Sequence, residues 1–147
     1  MISEDRPNYQ YVAARLKIYA LRKEVWGESD PPRLYDHLRK NKKIYDDCLL
    51  DSYSESEIHK ISKFIKHDRD YLFTHAGIEQ MIDKYLICDR ISKKIYETPQ
   101  FLFILVPMVL FKNQKNRIEL IKEMYDYVST FKINLPTPIL AGVRSKL

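Results

Sequence analysis

Thr98-Pro99-Gln100-Phe101-Leu102-Phe103-Ile104-Leu105-Val106-Pro107-Met108-Val109-Leu110-Phe111 decides the fold. Thr98 reads as a cap and Pro99 as the first helical residue, where a missing N–H is not needed. Phe101 to Phe111 is an apolar run of 11 residues, and a helix crossing a bilayer needs about 20. A helix apolar on nearly all sides is buried on nearly all sides, so this segment requires neighbours on every face. Pro107 inside it should bend the helix or interrupt its ladder.

Amphipathic segments on both sides supply those neighbours. Asp5 and Pro7 mark the start of a first helix running to about Trp26, where Gly27 ends it. Ala14, Ile18, Leu21 and Val25 form its apolar stripe, widened by Val12, Leu16 and Tyr19. Asp30-Pro31-Pro32 opens a second helix with Leu34, Tyr35 and Leu38 inward. It runs into the basic stretch Arg39 to Lys43. Ser54 and Glu57 have the spacing of a capping box, ahead of a third helix that buries Ile58, Ile61 and Phe64 or Ile65. Tyr71 to Tyr85 reads as a fourth helix, and about Lys115 to Thr130 as a helix burying Ile118, Ile121, Met124, Tyr125 and Val128.

Two segments break this period. Tyr85 to Cys88 and Ile91 to Tyr96 flank Asp89-Arg90, suggesting a short two-stranded excursion. Phe131 to Asn134 and Pro138 to Val143 look extended, with Pro136 and Pro138 excluding helix between them. The fold class is therefore mainly α, a bundle-like helical region with a short β excursion and a C-terminal extended strand that lacks a partner.

Composition narrows the function. A chain of 147 residues, 45% hydrophobic, buries roughly two-thirds of its unfolded surface and needs no metal or disulfide staple. Its 25 basic against 20 acidic residues give a formal charge of +5, an ordinary mixed-sign surface. The 3 Gly and 7 Pro leave little room for Gly-rich phosphate loops, and 11 Tyr with 6 Phe exclude a disordered chain. The start MISEDRPNYQ has no secretory pattern, and two cysteines fit a reducing compartment. The expected setting is cytoplasmic, with no membrane partner. Ser145-Lys146-Leu147 matches a peroxisomal address but is short enough to arise by chance.

Few residues offer chemistry. His67-Asp68-Arg69-Asp70 could present His67 and Asp70 as a metal or acid–base pair at i, i+3. The plainer reading is a helix start with an Asp cap and Arg69 paired to a carboxylate. His37 and His59 lie in polar surroundings and read as solvated. Cys48 and Cys88 sit beside Leu and Ile as small apolar residues. Arg39 to Lys43 holds four cations, yet Asp46, Asp47 and Asp51 blunt its field, so it reads as a solvated helix end rather than a nucleic-acid contact. Cradles for phosphate and the common nucleophile motifs are absent. No catalytic residue and no metal ligand is expected on this chain.

Val128-Ser129-Thr130-Phe131-Lys132-Ile133-Asn134-Leu135-Pro136-Thr137-Pro138-Ile139 closely resembles the segment leading into the catalytic barrel of class I ribonucleotide reductase large subunits. Pro7 to Leu16 is similar to the opening helix of that family's all-helical region. Ile65 to Asp70, Lys84-Tyr85-Leu86 and Ile95 to Leu102 resemble its later helices, in family order. The resemblance divides the chain into an all-α region, 1–132, and the start of the barrel, 133–147.

The family reduces ribonucleoside diphosphates to deoxyribonucleoside diphosphates. A cysteine thiyl radical abstracts a ribose hydrogen, a dithiol pair supplies electrons, and a thioredoxin- or glutaredoxin-type disulfide couple serves the turnover. A carboxylate and an amide assist. A separate small subunit carries the metal-radical cofactor, and nucleotide effectors bind elsewhere. The resemblance places all of these residues outside the matched segment, so this chain itself is expected to bind no cofactor. One substrate residue carries over: Thr137 matches the family threonine that contacts substrate, and a hydroxyl there can donate to a phosphate or ribose oxygen. The resemblance further implies a split or truncated large subunit, with the regulatory ATP-binding domain missing before Met1 and the first redox cysteine just past Leu147. The expected partners are a chain carrying the rest of the barrel, the radical-generating small subunit and the ribonucleoside diphosphate. The alternative is a catalytically silent helical interaction module.

Overall fold

A computed structural model describes residues 8–147. The start signals Asp5 and Pro7 lie outside the described residues. Helix α1 runs Tyr9–Trp26 and stops at Gly27. Gly27 has φ 77°, a left-handed conformation open to glycine at little cost, and its N–H bonds Lys23 O. Helix α2 is Leu34–Lys40, α3 is the short Cys48–Asp51, and α4 is Glu55–Ser62. The capping box forms as read: Ser54 Oγ accepts from Glu57 N–H, and the Glu57 carboxylate accepts from Ser54 N–H.

The expected fourth helix is broken into three pieces. His67–Leu72 is 3-10, α5 covers His75–Gln80, and Met81–Tyr85 widens into a π turn. Thr74 restarts the helix by accepting Gly77 N–H, and Leu86 N–H reaches back five residues to Met81 O. Helix α6 is Pro99–Leu110, α7 is Arg117–Ser129 and α8 is Thr137–Gly142.

Helix α6 is the axis of the core. Every residue from Pro99 to Met108 is buried, and the helix continues through Pro107. It packs on α7, α3, α8 and the 3-10 turn, while α1 lies on α5 and α2 on α4. Tyr53 Oη donates to Met108 O at 2.7 Å, satisfying a carbonyl near its C-terminus. Ile121, Tyr125 and Val128 of α7 face it, as their spacing predicts.

Three expectations need correction. Val12, Leu16 and Tyr19 do not widen the buried stripe of α1; they are 54%, 69% and 55% exposed. Helix α1 lies at an edge, and at about 100° per residue these three project away from Ala14, Ile18 and Leu21. The β excursion is reduced to one isolated antiparallel bridge between Cys88 and Ile95. Asp89 Oδ1 accepts the N–H groups of Ile91 and Ser92. The turn therefore satisfies its own donors, and the exposed Ile91 (95%) has no face to bury.

The third correction concerns the C-terminal segment, which is not a strand. Thr137–Gly142 is helical, with Pro136 at the cap and Pro138 in the first turn. Prolines at those positions start a helix because their missing N–H groups have no intrahelical role. The segment is also not unpartnered. Ser145 bridges Tyr45, Asp46 N–H bonds Arg144 O, and Lys146 N–H bonds Ile44 O.

A buried polar network ties α1, the 3-10 turn, α6 and α7 together. Asp70 accepts from Arg22 and from Gln100, both at 3.0 Å. Tyr125 Oη donates to Gln100 Oε1 at 2.6 Å and accepts Lys66 N–H at 2.9 Å. Removing that hydroxyl leaves a buried donor and acceptor unpaired, so Tyr125→Phe should destabilise the fold by about 1–3 kcal/mol. Urea unfolding of the two proteins would show it as a lower midpoint with an unchanged slope.

Candidate functional site

Thr137 is the first residue of α8 and is exposed. Its Oγ1 lies 3.4 Å from the hydroxyl of Tyr85, the last residue of the π turn. Two chain segments 52 residues apart thus bring two hydroxyls together at the surface. Beside them opens a cavity of about 500 Å³ lined by Phe73, Met81, Tyr85, Phe131, Leu135 and Leu140 among others. Phe131 holds φ at 63°, turning the chain from α7 toward α8.

The segments carrying the hydroxyls are tied to one guanidinium. Arg144 and Glu97 are fully buried and form an ion pair. Arg144 Nε donates to both Glu97 oxygens at 3.1 and 3.2 Å, and Nη2 also reaches Glu97. Nη2 donates to Tyr85 O at 2.9 Å, and Nη1 donates to Leu140 O in α8. Glu97 takes two further donors, Ile87 N–H at 3.2 Å and Tyr45 Oη at 2.9 Å.

Behind Tyr45 stands His37, its Nε2 at 2.8 Å from the phenol oxygen. Tyr45 gives its proton to Glu97, so Nε2 carries the hydrogen and His37 is the donor, a tautomer assigned from the network. Burial pushes the Tyr45 phenol well above its usual range, and Glu97 adds to this. Burial, with Lys40 adding, pushes His37 down to about 3. The expectation that His37 is solvated is therefore wrong: it is 4% exposed and stacked on Phe101 at 4.5 Å. His59 is half-buried, close to Arg33 and Glu55.

The His67–Asp70 cluster does not act as a pair. Asp70 is buried against Arg22 and Gln100, and burial raises its carboxyl. His67 packs edge-on against Trp26 and Phe101 at 5.5 and 5.2 Å. Arg69 does meet a carboxylate, Asp126, at 2.9 Å, whereas neither Asp68 nor Asp70 caps the turn. Among the described residues no three His, Cys, Asp or Glu side chains come together as metal ligands. Cys48 and Cys88 are free and half-buried, and burial pushes the Cys48 thiol up to about 11.

Residues 71–147, just over half of the chain, match the family described as ribonucleotide reductase, all-alpha domain. The chain belongs to that family. It is 49% identical to ribonucleoside-diphosphate reductase 1 subunit alpha of Escherichia coli, over 99% of this chain and 20% of the relative. It is 48% identical to the subunit alpha of Haemophilus influenzae, with the same coverage. The subunit alpha of Enterobacteria phage T4 is 44% identical over 98% of this chain. The chain spans about a fifth of the length of these relatives. It corresponds to the large-subunit all-alpha domain, and no helix among the described residues is long and apolar enough to cross a membrane.

The sequence pattern singles out Thr137 and gives no weight to Glu97, Arg144 or Tyr85, which the fold gathers near it. A signal existed. Glu97, Thr98 and Gln100 are the polar residues of an otherwise apolar stretch from Ile95 to Phe111, and a carboxylate buried there demands a cation.

The lowered imidazoles of buried His37 and half-buried His67 make the domain acid-sensitive. His67 is pushed down to about 4, by burial first and Arg22 second, and His37 to about 3. The unfolded chain takes up protons near pH 6.5, before the folded one does, so stability falls as pH drops from 6.5 toward 4. Asp70, raised in the fold, works in the opposite sense. Thermal melts from pH 7 to 4.5 should show a falling midpoint, and His67→Asn should flatten the slope.

Proposed function

We propose that this chain is the N-terminal part of a ribonucleoside-diphosphate reductase large subunit. It contributes to the reduction of ribonucleoside diphosphates to deoxyribonucleoside diphosphates for DNA synthesis in the cytoplasm. Its activity requires a chain carrying the rest of the barrel and a radical-generating small subunit. The observation that carries this reading is the near-complete alignment to subunit alpha relatives at up to 49% identity.

The radical cofactor belongs to the small subunit, where it would generate the oxidising equivalent for each turnover. The residues of this chain bind and orient. Thr137 is the substrate contact: its hydroxyl is exposed at the start of α8 and is free to donate to a phosphate or ribose oxygen. Pro136 and Pro138 restrict the backbone on both sides. Nucleotide effectors and the disulfide-type acceptor would act on parts of the enzyme supplied by the partner chain.

A second reading is a catalytically silent helical module, favoured by the closure of residues 143–147 onto the bundle through Arg144, Ser145 and Lys146. Co-expression with the remaining four-fifths of a large subunit separates the two. The reductase reading expects copurification and, with a small subunit added, reduction of a ribonucleoside diphosphate. Neither copurification nor turnover would leave the module. In the active complex Thr137→Val should raise KM by roughly threefold to tenfold, the loss of one hydrogen bond. An unchanged KM would remove Thr137 from the substrate site.

A further inference from the structure

We infer that Tyr85 is a second substrate-positioning residue beside Thr137, and that the buried Arg144–Glu97 pair is the clamp that holds the two hydroxyls in register. The functional part rests on the reductase reading; the clamp stands on geometry alone.

The hydroxyls come from elements with no backbone hydrogen bond between them. Tyr85 ends the π turn, and Thr137 opens α8. A helix of six residues holds its position poorly by its own hydrogen bonds. Its position is set instead by Arg144, one residue beyond its C-cap. One arm of that guanidinium holds the carbonyl of Leu140, within α8, and the other holds the carbonyl of Tyr85 itself. The planar, always-charged fork fixes both directions at once. Glu97 fixes the fork in turn, and is itself held by Ile87 N–H and Tyr45 Oη.

The result is a rigid chain from the start of α6 to the surface, ending at a Tyr85–Thr137 separation of 3.4 Å. At that spacing two hydroxyls can share one oxygen-rich ligand, one donating to each of two neighbouring phosphate or ribose oxygens. The π turn contributes as well. Widening the helix by one residue per turn places Tyr85 where its hydroxyl reaches Thr137 while its carbonyl reaches Arg144.

The clamp is tested in the chain itself. In the wild type, NMR should show a cross-peak between the Tyr85 ring and the Thr137 methyl. Glu97→Gln and Arg144→Lys should abolish it and speed exchange of the Leu140 to Gly142 amides, leaving the Ile104 methyl and Leu105 amide unchanged. A cross-peak that persists in both variants overturns the clamp. So does loss of the Ile104 signals in both, which would make the pair a general fold determinant.

The substrate role is tested with Tyr85→Phe, which keeps the ring and removes only the hydroxyl. In the reconstituted complex, KM for a ribonucleoside diphosphate should rise roughly threefold to tenfold with kcat little changed. A wild-type KM overturns the role of Tyr85. If the wild-type complex itself gives no turnover, the reductase reading fails and the substrate role of Tyr85 falls with it, while the cross-peak still decides the clamp.

Discussion

Glu97 has no exposed surface, and an ionised carboxylate taken out of water without partners costs several kcal/mol. Much of the surrounding structure meets that requirement. The Arg144 guanidinium, the Ile87 amide and the Tyr45 phenol all converge on it. To supply them, the chain must return from α8 to the bundle, the loop before α6 must turn back at Cys88, and the segment after α2 must bring Tyr45 inward. Removing one member of such a pair strands the other, which is far more damaging than replacing both with apolar groups.

Gln100, one turn further along, does the same for the other side of α6. It joins Asp70 of the 3-10 turn to Tyr125 of α7, and Arg22 of α1 closes that network. The helix entrance therefore carries two polar anchors, followed by apolar residues buried through Met108. Apolar packing is non-directional and would allow α6 to rotate among its neighbours. The two hydrogen-bonded anchors select one rotation and one axial position.

This arrangement separates stability from chemistry. Among the strongly perturbed groups, His37, Tyr45 and Asp70 are buried and engaged in the polar networks, and His67 is half-buried against Trp26 and Phe101. None of them lies at the surface where Tyr85 and Thr137 meet. What meets there is a pair of neutral hydroxyls on a rigid frame. They donate or accept without titrating near neutral pH.

Much of the fold was legible in the amino-acid order. The apolar run to Phe111 required a central buried helix, the Ser54–Glu57 box and Gly27 marked helix ends, and the period of Ile121, Tyr125 and Val128 marked the face of α7. The segments around Thr137 carried the family resemblance. These are local signals: propensity, capping and periodicity act within a few residues. What only the tertiary structure decided depends on partners distant in sequence. His37 is buried because Tyr45 and Phe101 enclose it, and Val12, Leu16 and Tyr19 are exposed because no element among the described residues covers that side of α1. Residues 137–142 turn helical for a local reason, Pro136 at the cap and Pro138 in the first turn. They stay on the bundle because Arg144 finds Glu97, 47 residues away, and no local pattern encodes a buried charge's choice of partner.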